Sequence, residues 1–126
     1  KLKSLDTKGR TVFTGYTTGD DLTQLYTNAA LYVLSSHTEG FPMVLLEAMS
    51  HGLRIVSTDI PAAHIIELPP ENYCRHDSPA DMADAIDRVL DAGSTPVYDL
   101  SAYDWDAIAR QTADVYDSLF RRRNPS

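Results

Sequence analysis

Short apolar, β-branched runs alternate along this chain with segments of helical spacing, and that alternation restricts it to an α/β fold with a mostly parallel sheet. The plainest strands are Leu31-Tyr-Val-Leu-Ser35, whose composition reads as buried on both faces, and Arg54-Ile-Val-Ser-Thr58. Between them, Pro42 fits the first turn of a helix that runs to about His51 and stops at Gly52. Upstream, Thr11-Val-Phe-Thr14 reads as a short strand ended by Gly15. Asp20 or Asp21 caps a helix with Leu22, Leu25, Tyr26 and Ala29 at helical spacing. Downstream, a loop at 59–63 leads to a helical turn through Ile66, Pro69-Pro70 breaks it, and 73–76 reads as a weak fourth strand.

Ser78 or Asp77 caps an amphipathic helix, with Met82, Ala85, Ile86, Val89 and Leu90 inside and Asp81, Asp84, Asp87, Arg88 and Asp91 outside. Asp84 and Arg88 are placed to pair one turn apart. After a linker at 93–96, a last helix begins near Tyr103. It carries Trp105, Ile108, Ala109, Thr112, Val115, Tyr116 and Leu119 on one stripe; ordinary packing on the sheet is one expectation, and an aromatic stripe of Tyr103, Trp105, Tyr116 and Phe120 left partly exposed or paired with another copy is the other. The organisation expected is one partial domain over 1–126, with an α/β core over about 1–93 and a C-terminal helix over about 101–123.

Composition narrows the function classes. The chain has 126 residues, enough for one domain with a real core. Its 11 Lys and Arg against 18 Asp and Glu leave a net charge of −7, a poor match to nucleic-acid phosphates. The one basic run, Arg121-Arg122-Arg123, reads as a solvated helix end; peripheral contact with an anionic membrane is the alternative. The longest apolar stretch, Pro42 to Leu46, is far too short to span a bilayer. No secretory signal is visible, which points to the cytoplasm, and a start at Lys1 suggests a piece of something longer. A single cysteine, Cys74, forms no internal disulfide. It reads as a small apolar strand residue, with a reactive thiol beside Arg75 and His76 as the weaker alternative.

The densest chemical signal is Glu39-Gly-Phe-Pro-Met-Val-Leu-Leu-Glu47, two carboxylates bracketing a loop-to-helix junction. Backbone amides near a helix start, here Met43 and Val44, lack intrahelical partners and form an anion site with the helix dipole. Gly40 lets backbone approach a ligand. Glu47 lies one to two turns further on, where a carboxylate could clamp two ribose hydroxyls. Its apolar neighbours mean it needs a partner from the protein or a ligand; a merely half-exposed helix acid is the plainer reading. Glu39 sits at the carboxyl end of strand 31–35, the edge where open α/β sheets bind ligands. The four histidines, His37, His51, His64 and His76, show no metal-ligand spacing. His51, one turn after Glu47, reads as its surface partner, and His37, near Glu39, is placed to touch substrate.

These residues resemble the E-x7-E signature of retaining glycosyltransferases of family 4, which have the GT-B architecture. The likeness extends to Val12-Phe-Thr-Gly15, the helix ending at Leu25-Tyr26, Leu31–Ser35, Ile55–Thr58, the helix at 78–92, and Trp105 through Val115-Tyr116. It implies a Rossmann-like donor domain truncated at its N-terminal side. Glu39 would hold hydroxyls of the transferred sugar, amides of Gly40, Phe41, Met43 and Val44 would meet the diphosphate, Glu47 would bind the ribose, and Tyr16 would lie near the base. Donor domains of this family order their strands 3-2-1-4-5-6, so 11–14 matches the third strand and 31–35 the fourth. The two intervening strands are missing, which predicts either direct pairing of 11–14 with 31–35 or a sheet shared between copies through the exposed edge.

Three departures stand out. Gly-Phe-Pro replaces Gly-Phe-Gly, Asp59-Ile-Pro-Ala-Ala63 replaces a glycine-rich loop, and no Lys or Arg lies between Arg10 and Arg54 to neutralise a diphosphate. The resemblance implies transfer of a sugar from a nucleotide diphosphate sugar to an acceptor hydroxyl, with no cofactor and no required metal. The acceptor site would lie in an N-terminal domain, so this fragment alone would be inactive. A non-enzymatic nucleotide- or protein-binding α/β module, or a GT-B relative such as a nucleotide-sugar epimerase, is the alternative.

Overall fold

Arg54–Thr58 (β2) is the segment around which the chain is built, because alternate residues of an extended strand face opposite sides. Ile55 points into one apolar layer and Val56 into the other, and both are fully buried. The structure, a computed structural model, describes residues 2–123. Leu31–Leu34 (β1) and Tyr73–Cys74 (β3) flank β2 in the order β1-β2-β3, and both pairings are parallel. Leu31 lies opposite Arg54 and Ser57 opposite Tyr73. The helices are α1 (Leu2–Leu5), α2 (Gly19–Asn28), α3 (Met43–Ser50), α4 (Pro79–Asp91) and α5 (Trp105–Arg123), with short 3-10 turns at Ala63–Ile66, Pro70–Asn72 and Ser101–Tyr103.

Two layers of side chains sandwich the sheet. On one face Leu45, Ala48 and Met49 of α3 pack with Tyr26, Leu34, Ile55, Ile60, Ala63 and Ile66. On the other, Ala85 and Val89 of α4 pack with Val56 and Cys74. The β1–α3–β2 unit matches the sequence reading to within a residue or two, and Gly52 closes α3 at φ 67, a left-handed position that glycine takes without a Cβ penalty. Cys74 is the buried strand residue expected. Burial pushes its thiol up, and the nearby Asp81 carboxylate adds to the effect, so the reactive-thiol alternative does not hold.

The sequence reading fails in several places. Among the described residues the sheet has three strands instead of about four, and 11–14 form no strand and pair with none of them. The amides of Arg10 and Thr11 are taken by the Asp6 carboxylate (3.1 and 2.8 Å), Val12 is 84% exposed, and Gly15 turns the chain at φ 70. A four-residue segment that buries so little apolar surface cannot offset the entropy of ordering it. β1 is consequently an edge strand, and Val33 is open to solvent on the face that α4 leaves uncovered, so β1 is not buried on both sides. Helix α2 begins at Gly19 after Thr18, with Asp20 and Asp21 inside its first turn, where their charge suits the helix dipole without capping it.

At the other end of the chain, α5 leaves its stripe exposed: Trp105 (82%), Val115, Tyr116, Leu119 and Phe120 all face solvent, which is the exposed alternative and not packing on the sheet. The preceding linker is what docks. Tyr98 donates to the Leu53 carbonyl (2.8 Å) and Tyr103 to that of Ile65 (3.0 Å). Leu90 is likewise exposed, and Arg88 donates to the Glu71 carbonyl (3.4 Å) in place of the expected pair with Asp84.

Ser78 caps α4 by accepting from the Asp81 amide (3.3 Å), and Asp81 in turn accepts from the Arg75 amide (2.6 Å). That backbone bond, aided by the Arg75 guanidinium, holds the Asp81 carboxyl below its ordinary value. A depressed folded-state pKa means the unfolded chain binds more protons in the acid range. The stabilisation is therefore complete above the unfolded value, about 3.9, and is lost as pH falls through the lower folded value. Asp81→Asn is expected to be less stable than wild type at neutral pH and to show a shallower loss in that window, measured by urea unfolding at stepped pH. Parallel pH profiles for the two proteins would contradict this.

Candidate functional site

Because β1 and β2 run parallel, their carboxyl ends lie together, and the loop from Ser35 to Pro42 leaves from that edge. The loop is tied down in two steps. Thr58 at the end of β2 donates its Oγ1 to the Ser36 carbonyl, and the Ser36 hydroxyl donates to Glu39 Oε1 at 2.6 Å. Glu39 is itself exposed, so it is a positioned acid with free acceptor capacity.

Pro42 follows as a fully buried N-cap that anchors the start of α3. The Leu45 amide donates to the Pro42 carbonyl, and the Met43 amide to that of Phe41 (both 2.9 Å). Met43 therefore differs from the sequence expectation, its donor being used within the turn. Among the described residues the amides of Gly40, Phe41 and Val44 have no backbone partner. A Cβ built on Gly40 would meet no protein atom within 4 Å, so packing alone does not demand glycine there. The Phe41 ring is partly exposed and lies 6.2 Å from that of Tyr103.

Glu47 stands on the second turn of α3 and is exposed. It accepts from the Tyr26 hydroxyl (3.1 Å) and lines a cleft of about 170 Å3 between α2 and α3, with Leu22, Thr23, Ser50 and His51. Tyr26 stacks against both Tyr32 (5.7 Å) and His51 (5.3 Å). His51 thus engages Tyr26 and Thr27 instead of forming the expected pair with Glu47. Burial pushes the Tyr26 phenol far up, with Tyr32 and Glu47 adding to it, so it remains a neutral donor. Burial also raises Tyr32. A contact from Tyr26 opposes that shift, and the negative charges of both Glu47 and Glu39 reinforce it. Both carboxylates therefore lie within electrostatic reach of one phenol.

The remaining sequence candidates lie apart from this group. Tyr16 is 96% exposed, and no hydrogen bond or ring contact of the described residues joins it to α3. His37 turns from Glu39 towards Asp77 (3.5 Å). In the loop after β2, His64 bonds to Asp59 and stacks on Tyr73 (4.4 Å), so side chains hold the segment where glycines were expected. The aromatic stack of Tyr32, Tyr26 and His51 escaped the sequence reading, which saw Tyr26 only as an apolar helix position. Its signal is the Tyr26-to-Glu47 bond, which spans 21 residues and has no local signature.

A three-layer sandwich about a parallel sheet, with its candidate ligand groups at the carboxyl edge, defines a Rossmann-like α/β domain. Within that class the chain belongs to the family described as glycosyl transferases group 1, whose profile matches residues 1–92. It is 31% identical over 122 residues to an uncharacterized glycosyltransferase of Methanocaldococcus jannaschii, covering 89% of this chain. It is also 41% identical over 58 residues (46% of this chain) to a mannosylfructose-phosphate synthase of Agrobacterium fabrum, and 39% over 71 residues (56%) to a sulfoquinovosyl transferase of Arabidopsis thaliana. The aligned parts amount to 31%, 13% and 14% of those proteins, so the chain spans about a third of the first and much less of the others. Among the described residues no helix is long and apolar enough to cross a membrane.

Proposed function

We propose that this domain binds the nucleotide diphosphate sugar donor of a retaining glycosyltransferase of family 4. The observation that carries the reading is that Glu39, fixed by Ser36 on the loop before α3, and Glu47, on the second turn of α3, bracket a helix start whose Gly40, Phe41 and Val44 amides have no backbone partner. On this reading the amides of Gly40, Phe41 and Val44 meet the diphosphate, and Met43 joins them when its bond to Phe41 opens. Glu39, aimed by Ser36, accepts from hydroxyls of the transferred sugar. Glu47 accepts from the ribose while Tyr26 holds it in place. Tyr16, on the segment after Gly15, serves the base. Membership of the family supports a transferase as the parent activity, and the names of the relatives support sugar transfer.

The groups on this chain can bind and orient a donor, and the helix dipole can stabilise charge on a departing diphosphate. They include no Lys or Arg between Arg10 and Arg54, so full neutralisation and the acceptor site fall to the rest of the protein. The isolated domain accordingly binds weakly and transfers nothing. Titration with UDP-, GDP- and ADP-sugars tests this. At about ten times Kd, one of them stabilises the fold by about 1.4 kcal/mol, which raises Tm by roughly 5 °C at this size. No shift with any of the three donors up to tens of millimolar, where even weak binding registers, overturns the reading.

A further inference from the structure

The loops after β1 and β3 bring together three side chains that the donor site does not use: His37, His76 and Asp77. Asp77 Oδ1 lies 3.5 Å from His37 Nε2, and Asp77 Oδ2 lies 3.3 Å from His76 Nδ1. The two imidazole rings meet edge to face with centroids 5.9 Å apart. One donor atom from each residue falls within a sphere in which all three are within 4.8 Å of one another.

We propose that His37, His76 and Asp77 form a binding site for a divalent transition-metal ion of the zinc class. Four observations support a metal over simple ion pairing. Both contacts are longer than a good charge-assisted hydrogen bond, which falls near 2.7–2.9 Å. The His76 Nδ1–Asp77 Oδ2 distance matches the separation of about 3.3 Å between donors held at 2.0–2.1 Å around a tetrahedral ion, and small side-chain rotations would bring His37 into the set, whose three donor atoms already lie within 4.8 Å of one another. The donor set, two imidazoles and a carboxylate, is one that suits zinc and similar ions and leaves a fourth position for water. All three side chains are more than half exposed, so the small rotamer changes that would close the set meet no packing barrier. The chain's charge of −7 also favours a cation over an anion. A bound ion would cross-link the Ser35–Pro42 loop to the turn between β3 and α4. The site stands on these three side chains alone and holds whether or not a sugar donor binds nearby.

The test is titration of ZnCl2 into the chelator-treated full chain, followed by calorimetry and by the histidine ring signals in NMR spectra. Saturable one-to-one binding is expected, with the rings of His37 and His76 shifting together while those of His51 and His64 stay in place. Cobalt is expected to bind at the same site more weakly and to give visible absorption. His37→Ala and Asp77→Ala should each weaken zinc by at least the roughly 10–100-fold that loss of even an outer-sphere partner causes. His64→Ala, which removes the separate His64–Asp59 pair, should leave affinity unchanged. Three results overturn the proposal: no saturable binding up to millimolar zinc, ring shifts at His64 or His51 in place of His37 and His76, or equal affinity in the His37→Ala chain. The ring signals are read on the wild-type protein, so the test does not depend on any variant folding.

Discussion

Glu39→Ala, made in an enzyme that contains this domain, is expected to leave nucleoside diphosphate affinity nearly unchanged while lowering sugar transfer by about 100-fold or more, the scale of losing one preorganised polar contact at a reacting centre. Glu47→Ala is expected to do the reverse in the ground state, weakening the nucleoside diphosphate by roughly 10–100-fold, as befits hydrogen bonds to a charged acceptor. The asymmetry follows from where the two acids stand. Glu39 is held by Ser36 before the helix starts, and Glu47 lies beyond the first turn, on the cleft shared with α2. A complication is built into Glu47: its loss also strands the Tyr26 hydroxyl, so some of the effect could be structural. Tyr26→Phe removes the same bond but keeps the carboxylate. If Tyr26→Phe weakens the diphosphate as much as Glu47→Ala, the acid is a structural partner of Tyr26 and the ribose role is wrong. Equal affinity losses in the two glutamate variants would remove the division of labour altogether.

The parts of this molecule that were legible in the sequence are those decided locally. The β1–α3–β2 unit could be read because Pro42, Gly52 and two short runs of strand-forming residues, the second rich in β-branched ones, each act within a few residues. The same holds for Ser78 at the start of α4. What failed depended on partners far along the chain. Thr11 to Thr14 has strand composition, yet a strand needs a neighbour, and Asp6 claims two of the nearby amides first. The stripe on α5 has helical period, but period shows only that a face is apolar and leaves open whether anything covers it. At the site, Glu39 and Glu47 stood out by spacing, whereas the Tyr26 bond and the His37–His76–Asp77 group join residues 21 and some 40 positions apart. No spacing rule reaches that far.

Ile55→Ala is expected to carry a large loss of stability. Ile55 is fully buried on the central strand β2, with Leu45 and Ala48 of α3 in the same cluster and Tyr32 of β1 paired beside it, so the cavity has little room to collapse. The cost is about 2–5 kcal/mol, against a total of about 5–15 kcal/mol for an ordinary domain. At this size each kcal/mol lowers Tm by roughly 4 °C, so a drop of about 8–20 °C is expected in a thermal melt. Val33→Ala supplies the contrast: its side chain is 36% exposed on the edge strand and leaves no closed cavity, so about 1 kcal/mol or less is expected. Similar losses in the two variants would mean that β2 is not the centre of the sheet. The consequence reaches the candidate site, because Thr58, three residues beyond Ile55, holds the Ser36 carbonyl and through it the loop of Glu39. Below its melting temperature Ile55→Ala should therefore bind donor with near-normal affinity, and above it lose binding and fold together, since β2 acts on the site by holding the loop in place.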